Sequence, residues 1–154
     1  MTHHLDDTDI KILKALQRDA RQSHQQVGDT VGLSPSPCSR RIRLMEQNGI
    51  IEGYTAKVDS RRIGFGLNVF VSVKLDTQID SRLVNFEREI ARFPEVVDCW
   101  LMTGNRDYLM RVVVTDLEEF ERFLTSHLTK TIGVASIESS IPVRRVKDAG
   151  ARVS

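Results

Sequence analysis

The hydrophobic pattern changes its period near Gly64 and Gly66, and this change divides the chain into two parts. Before it, apolar residues recur at the three- and four-residue spacing of amphipathic helices. After it, "LNVFVSVKL" at 67–75 alternates apolar and polar residues, as a half-buried strand does. A chain of 154 residues is long enough for two small domains. We therefore expect a helical first part and a second part built around a β-sheet.

The first part begins with the start and stop signals of two short helices. Asp6 is placed as an N-cap, with Asp9 at the third helical position. A second helix starts at the capping box "SHQQ" at 23–26 and ends at Gly32. Gly28 lies inside this helix, where glycine costs up to about 1 kcal/mol relative to alanine, so we expect local softness.

A third helix follows after a tight turn. Ser34 is in the N-cap position, Pro35 is the first helical residue, and Gly49 lies just past the expected end. Two helices joined by a short turn that contains Gly are typical of a helix-turn-helix, here at about 24–43. The strand-like run at 50–58 is expected to pair with the residues after it as a hairpin, or wing.

The third helix concentrates arginines, although like charges this close repel one another. On a helical wheel, Cys38, Ile42 and Met45 share one face, and the opposite face is polar. The polar face consists of Ser36, Ser39, Arg40, Arg43 and Gln47. In the major groove, Arg matches guanine, Gln matches adenine, and Ser reaches bases or phosphates. The face therefore indicates a DNA-reading helix, with a solvated helix face as the alternative.

The flank and the start of the third helix complete the candidate DNA-binding set. Arg41 lies at the flank, where it can reach a carboxylate of its own domain, and we include it in the set. Ser34 and Pro35 are included because free N–H groups at 34–37 favour a phosphate. Residues 34–66 carry six Lys or Arg and three Asp or Glu, in a chain of net charge +1. This local positive patch indicates a site for a negatively charged partner.

The second part has the order β-α-β-β-α-β, the ferredoxin-like arrangement. A helical pattern at 80–93 ends at Pro94, and two strands flank the tight turn "GNRD" at 104–107. The capping pattern "DLEE" at 116–119 starts another helix, and "VASIESSIPVRRV" from Val134 is the last strand.

The predicted fold class is therefore α+β with two domains. A ferredoxin-like sheet leaves one face without helices, and Cys99 and Trp100 alternate across its second strand. An exposed Trp100 or Phe70 on the uncovered face would indicate burial in a dimer. The predicted division is a winged helix-turn-helix domain at 1–60, a linker at 61–66, a ferredoxin-like domain at 67–147 and a tail at 148–154.

Composition argues against several classes of function. No apolar run approaches the roughly 18–20 residues that cross a bilayer. The N-terminus lacks a signal-peptide pattern, so a cytoplasmic location is expected. Two cysteines form neither a disulfide framework nor a clustered metal pattern, so we expect no metal or other cofactor. No phosphate-binding Gly loop, nucleophile elbow or paired-acid cleft is recognisable, which argues against an enzyme.

Three stretches resemble the Lrp/AsnC family of bacterial and archaeal transcription factors. They are "LDDTDIKILKALQRDAR" from Leu5, "VGLSPSPCSRRIRLMEQNGIIEGYTAKVD" from Val31 and "MTGNRDYLMRVVV" from Met102. With the domain order, the likeness covers residues 5–147. It implies a winged helix-turn-helix that binds double-stranded DNA and a ferredoxin-like domain that binds a small amino acid as effector. It also implies dimers that assemble into higher oligomers, octamers among them.

The resemblance also places an effector site at the "GNRD" turn. The candidate effector residues are Gly104, Asn105, Arg106, Asp107, Tyr108 and, from a neighbouring subunit, Ser139. Gly104 can adopt a positive φ and expose N–H groups to a carboxylate, and Asp107 can accept an α-ammonium. Arg106 can pair with a carboxylate if the site is shared between subunits. The same four residues are also an ordinary hairpin turn, which is the alternative.

The leading hypothesis is a sequence-specific DNA-binding transcriptional regulator, modulated by a small amino acid bound between subunits and associated with the nucleoid. The alternative is a small-molecule-binding module whose helical head contacts a protein instead of DNA. An enzyme built on the ferredoxin-like unit would need a catalytic group that we do not find in the sequence.

Overall fold

A computed structural model describes residues 4–148 and 150–153, which form two units. The first unit contains the chain up to Lys57 together with the C-terminal segment from Lys147, and the second unit is Val58–Val146. Each unit has its own buried apolar core.

The C-terminal segment is attached to the first unit by polar contacts. Gln17 Nε2 donates to the carbonyl oxygen of Ala151 at 3.0 Å. The Lys57 ammonium forms an ion pair with the Asp148 carboxylate. The described part of 148–154 therefore packs with the helical unit instead of extending the sheet unit.

Three helices form the first unit: α1 (Asp7–Arg18), α2 (His24–Val31) and α3 (Pro35–Gln47). Both predicted capping boxes are present, with Asp6 as the N-cap of α1 and Ser23 as the N-cap of α2. Gly32 ends α2 with φ of 77°, a conformation that glycine adopts without strain. The core between the helices consists of Ile12, Ala15, Val27, Cys38, Ile42 and Met45. The predicted helix-turn-helix is confirmed.

An ion-pair cluster fastens α3 to the start of α1. Arg41 Nη1 lies 2.8 Å from Asp6 Oδ2 and 2.8 Å from Asp9 Oδ1. The Asp9 side chain is only 3% exposed, so its charge needs partners inside the unit. The pKa of Asp6 is lowered, first by the hydrogen bond from the Asp9 N–H and then by Arg41. The expectation that Arg41 reaches a carboxylate of its own domain is confirmed.

The hairpin predicted after α3 is wrong. Ile50 and Ile51 pack against the helical core, but no strand is formed at 52–59. The chain instead turns into a 3-10 helix over Ser60–Ile63, which Asp59 caps by accepting the N–H of Arg61. Such a local cap competes with strand pairing, and the sequence pattern of alternating residues did not reveal it.

The second unit is a four-stranded sheet with two α-helices. Its elements are β1 (Leu67–Leu75), α4 (Asp80–Ile90), β2 (Val96–Leu101), β3 (Tyr108–Val114), α5 (Leu117–Ser126) and β4 (Val134–Ser140). The strand order is β2-β3-β1-β4 and all pairs are antiparallel, which confirms the ferredoxin-like arrangement. Val71 and Met110 lie opposite each other in the core with Phe86 and Phe120, so the helices cover this face.

Two elements are shorter than predicted. The helix expected at 80–93 ends at Ile90, because i→i−3 hydrogen bonds from Arg92 and Phe93 tighten the chain before Pro94. The last strand ends at Ser140 and does not continue through "IPVRRV", where a proline lacks the N–H that a ladder needs.

Membrane and metal features are limited in the part of the chain that the structure describes. The longest helix there has 13 residues, and none is long and apolar enough to span a bilayer. Over the same residues, no three His, Cys, Asp or Glu side chains group as metal ligands would. Cys38 is buried and Cys99 is exposed, and both are free thiols.

Gly28 allows two backbone segments to lie close together. The packing around this residue is tight, in contrast to the local softness expected for α2. A Cβ atom at this position would lie 2.4 Å from the carbonyl oxygen of Leu33. The Leu33 N–H in turn donates to the carbonyl oxygen of Gly28 at 2.9 Å. The turn between α2 and α3 therefore packs directly on a bare backbone.

Replacing Gly28 with alanine is expected to lower the free energy of unfolding by about 1–3 kcal/mol, because the added methyl group overlaps the Leu33 carbonyl. Alanine is the better helix former, so propensity alone predicts the opposite sign. Gly53→Ala is the matched control, since nothing lies within 4 Å of its added Cβ. Urea unfolding followed by circular dichroism compares the two. A Gly28→Ala midpoint at or above that of Gly53→Ala would contradict the close approach.

Candidate functional site

The polar face of α3 is exposed, as the helical wheel predicted. Cys38, Ile42 and Met45 are buried on the opposite side. The predicted face residues Ser36, Arg40, Arg43 and Gln47 are exposed, and Ser39 is half-buried. Among the described residues, the side chains of Arg40 and Arg43 form no hydrogen bond or ion pair. Two guanidinium groups are thus available to an external acceptor.

Arg41 differs from its neighbours because its charge is used inside the unit. Its side chain is 29% exposed, and one guanidinium nitrogen contacts two carboxylates. Moving it to a DNA base or phosphate would leave the buried Asp9 without this partner, at a cost in stability. We therefore reassign Arg41 from the candidate DNA contacts to the packing of α3 on α1.

The start of α3 offers fewer donors than predicted. Pro35 and Pro37 have no N–H, and the N–H of Cys38 donates to the carbonyl oxygen of Ser34 at 3.3 Å. Ser34 stands at the N-cap, but its side chain forms no capping hydrogen bond. The expectation of a row of free N–H groups at 34–37 is therefore wrong. The Ser36 N–H and the exposed hydroxyls of Ser34 and Ser36 remain available to a phosphate.

The "GNRD" turn joins β2 to β3 and exposes backbone donors. Gly104 has φ of 108°, as predicted for this position. Within this described turn, the N–H groups of 103–106 donate no backbone hydrogen bond. The Asp107 N–H donates to Val73 at 2.9 Å, and the Asp107 carbonyl accepts the N–H of Met102 at 2.8 Å. The turn is thus closed at its base and open to a carboxylate at its tip, where Asn105 is also exposed.

The Asp107 carboxylate is buried and already has two donors. It is 5% exposed. Its Oδ2 accepts the backbone N–H of Leu75 at 2.7 Å, and its Oδ1 accepts the side-chain amide of Gln78 at 2.5 Å. Sequence reasoning missed Gln78, because 29 residues separate it from Asp107 and no local pattern connects them.

Arg106 contacts β4. Its guanidinium donates to Glu138 Oε2 at 2.6 Å and to Ser136 Oγ at 2.8 Å. Ser139 pairs with the core residue Val71, so it points to the helix-covered face of the sheet, whereas Ser136 and Glu138 point to the other face. Within one chain, Arg106 and Ser139 therefore do not meet, and a shared site would need the Ser139 of another subunit.

Tyr108 belongs to the core instead of the turn. Its side chain is 1% exposed, and its ring centroid lies 4.5 Å from that of Phe86. Its hydroxyl donates to Glu87 Oε1 at 2.7 Å. Burial, and then this carboxylate, raise the pKa of Tyr108. Tyr108 also lines a cavity of about 270 Å³ beside β2, together with Glu87 and Cys99. We therefore remove Tyr108 from the candidate effector set.

The sheet face opposite the helices carries exposed apolar residues. Trp100 is 46% exposed and lies opposite Leu109 in the β2–β3 ladder. Phe70 lies on β1, two strands away from Trp100, and is half-buried. In the same face, Arg111 Nε lies 2.6 Å from Asp98 Oδ2. Trp100 is therefore the exposed aromatic residue on the uncovered face, which is the condition stated above for burial in a dimer.

Comparison with known proteins assigns a family to both units. A winged helix-turn-helix DNA-binding model matches residues 5–52. A model of the Lrp/AsnC ligand binding domain matches residues 68–151, which is more than half of the chain.

Individual proteins agree with these models over nearly the whole length. The Bkd operon transcriptional regulator of Pseudomonas aeruginosa is 44% identical over 142 residues, covering 92% of this chain and 93% of the relative. The leucine-responsive regulatory protein of Rhizobium meliloti is 37% identical over 145 residues, covering 94% and 93%. A Neisseria meningitidis transcriptional regulator, solved in complex with L-Met, has a TM-score of 0.91 at 33% identity, covering 96% and 95%. The chain therefore belongs to the Lrp/AsnC family of transcriptional regulators.

Proposed function

We propose that this regulator binds double-stranded DNA through the exposed polar face of α3. The observation that carries the proposal is the contrast between three neighbouring arginines. Arg41 is neutralised inside the unit, whereas Arg40 and Arg43 are exposed and have no partner among the described residues. In helix-turn-helix proteins the second helix of the motif lies in the major groove. Arginine forks there pair with the O6 and N7 atoms of guanine.

We propose that the effector is a small L-amino acid bound at the turn 104–107. The open N–H groups at 103–106 suit an α-carboxylate, and the Asp107 carboxylate suits an α-ammonium. The L-Met complex of the Neisseria meningitidis regulator supports this class of ligand. Asn105 and the partner subunit's Ser139 supply further polar contacts. Arg106 takes part only if it leaves Glu138.

We propose a homodimer formed by packing the two uncovered sheet faces together, with dimers assembling further into an octamer. Trp100 and Phe70 supply apolar area to this contact. A dimer presents two α3 helices to successive major grooves, so half-sites are spaced by about one helical turn or a multiple. DNA as the partner implies a cytoplasmic, nucleoid-associated protein, and we propose no catalytic step.

The first prediction from the proposed function concerns the reading face of α3. Arg40→Ala and Arg43→Ala are each expected to cost about 1–3 kcal/mol of DNA affinity, because each removes a base contact. Gel-shift titration on genomic fragments selected by the purified protein measures the loss. Arg88→Ala, an exposed arginine of α4, is the matched control. Wild-type affinity should fall steeply with salt, as phosphate contacts require.

A thermal-stability measurement separates lost contacts from lost folding. Arg41→Ala is expected to lower the melting temperature of the first unit, because it breaks the cluster with Asp6 and Asp9, whereas Arg40→Ala leaves it unchanged. Unchanged DNA affinity in both the Arg40 and Arg43 variants would remove the assigned reading face. Absence of DNA affinity even at low salt would favour the alternative function, in which the helical unit contacts a protein instead of DNA.

The second prediction concerns the effector. In calorimetric titrations with the twenty protein L-amino acids, at least one should bind, and Asp107→Asn should weaken it by about ten- to a hundredfold. The reason is the loss of a charge-assisted hydrogen bond to the ammonium. The N-acetyl derivative of the same amino acid lacks that ammonium and should bind as weakly. Equal affinity for the free and acetylated forms would contradict the role of Asp107.

The third prediction concerns assembly. Trp100→Glu should shift the protein towards monomers in analytical ultracentrifugation, because it buries a charge in the proposed sheet-to-sheet contact. Leu117→Glu is the matched control: Leu117 is 62% exposed on α5, and its replacement should retain at least the dimer. A Trp100→Glu variant that remains dimeric would exclude this face.

A further inference from the structure

We propose that Gln78 occupies, in the ligand-free protein, the position that the effector's α-ammonium takes, so that the effector binds by displacing this side chain. The inference rests on the proposed effector function of the turn. It adds a residue outside the turn that sets the affinity of the site for every α-amino acid.

The two donors of Asp107 differ in how easily they can leave. Oδ2 accepts the N–H of Leu75, a backbone group at the end of β1 whose residue pairs with Val134. Oδ1 accepts the amide of Gln78, which is an exposed side chain in the loop between β1 and α4. A backbone donor within the sheet stays fixed, whereas an exposed side chain can rotate away. The exchangeable donor is therefore Gln78.

The burial of the Asp107 carboxylate explains why a side chain donates to it when no effector is bound. A carboxylate that is 5% exposed needs donors, because an unpaired buried charge is costly. The Gln78 amide supplies one such donor in the absence of ligand. An ammonium that replaces it preserves the number of hydrogen bonds and adds an opposite charge. Replacement of the Gln78 amide by the ammonium is thus favourable when the turn also binds the effector's carboxylate. The Asp107 carboxylate keeps a hydrogen-bond donor in both states.

The exchange also has a structural consequence at α4. Gln78 directly precedes Ile79, the N-cap residue of that helix, whose side chain makes no capping hydrogen bond. The contact between Gln78 and Asp107 therefore restrains the loop that leads into α4. Displacement of Gln78 releases this restraint. Binding of the effector at the turn therefore increases the mobility of the loop 76–79.

Two variants at the same position should change affinity in opposite directions. Gln78→Ala removes the competitor, and we expect the amino acid identified in the calorimetric panel to bind about tenfold more tightly. Gln78→Lys supplies a tethered ammonium that competes more strongly, and we expect binding at least about tenfold weaker. Thr77→Ala in the same loop is the matched control. It removes only the contact of the Thr77 hydroxyl with Asp76 and should leave affinity unchanged.

Hydrogen–deuterium exchange of the wild-type protein gives a second readout that needs no variant. On adding the same amino acid, the N–H groups of 103–106 should exchange more slowly, and those of Arg82 and Leu83, which donate to the Ile79 carbonyl at the start of α4, should exchange faster. In Gln78→Ala, the N–H groups of Arg82 and Leu83 should already exchange fast and should not respond. Slower exchange of both segments in the wild type would overturn the displacement.

The outcomes distinguish this inference from the proposed function. If the wild type binds an amino acid and Gln78→Ala binds it equally or more weakly, the role of Gln78 is overturned and the effector site stands. If none of the twenty amino acids binds to the wild type or to Gln78→Ala, both proposals are overturned.

Discussion

The pairing of Arg41 with Asp6 and Asp9 determines which side of α3 is left for a partner. This arginine ties the flank of α3 to the start of α1, while Cys38, Ile42 and Met45 fill the core. With the rotation of the helix thus set, the side chains one residue before and two residues after Arg41 point away from the unit. The exposed polar face proposed to read DNA is therefore a consequence of an internal ion pair, and three neighbouring arginines have two different environments.

The two candidate sites use charge in opposite ways. On α3 the outward guanidinium groups have no internal partner among the described residues, so the face meets a polyanion without first breaking a contact. At the turn, Asp107 and Arg106 are both paired inside the chain, with Gln78 and Glu138. The amino acid proposed to bind there has to replace these internal partners with its own ammonium and carboxylate groups. One site is preformed, and the other is filled by the protein's own side chains.

Local signals in the sequence predicted most of the fold. The capping residues Asp6 and Ser23 and the alternation in β1 placed the helices and the first strand, and the helical wheel placed the exposed polar face of α3. Alternation in "YLMRVVV" also puts Tyr108 on the same face as Met110, a signal that argues against its role in the turn. Local patterns could not predict contacts between residues that lie far apart in the sequence. The pairing of Gln78 with Asp107 and the return of the C-terminal segment to the helical unit depend on tertiary structure.

The internal partners at the turn also separate affinity from selectivity. Gln78 competes with the ammonium, a group that every α-amino acid carries. The free-energy cost of displacing Gln78 is therefore the same for every amino acid. Discrimination between amino acids must therefore come from residues that contact the effector's side chain, outside the pair formed by Asp107 and Gln78. By linkage, an assembly or DNA state that favours displaced Gln78 raises effector affinity by the same factor by which the effector favours that state. Substitution of Gln78 thus changes the concentration at which the regulator responds without changing which amino acid it prefers.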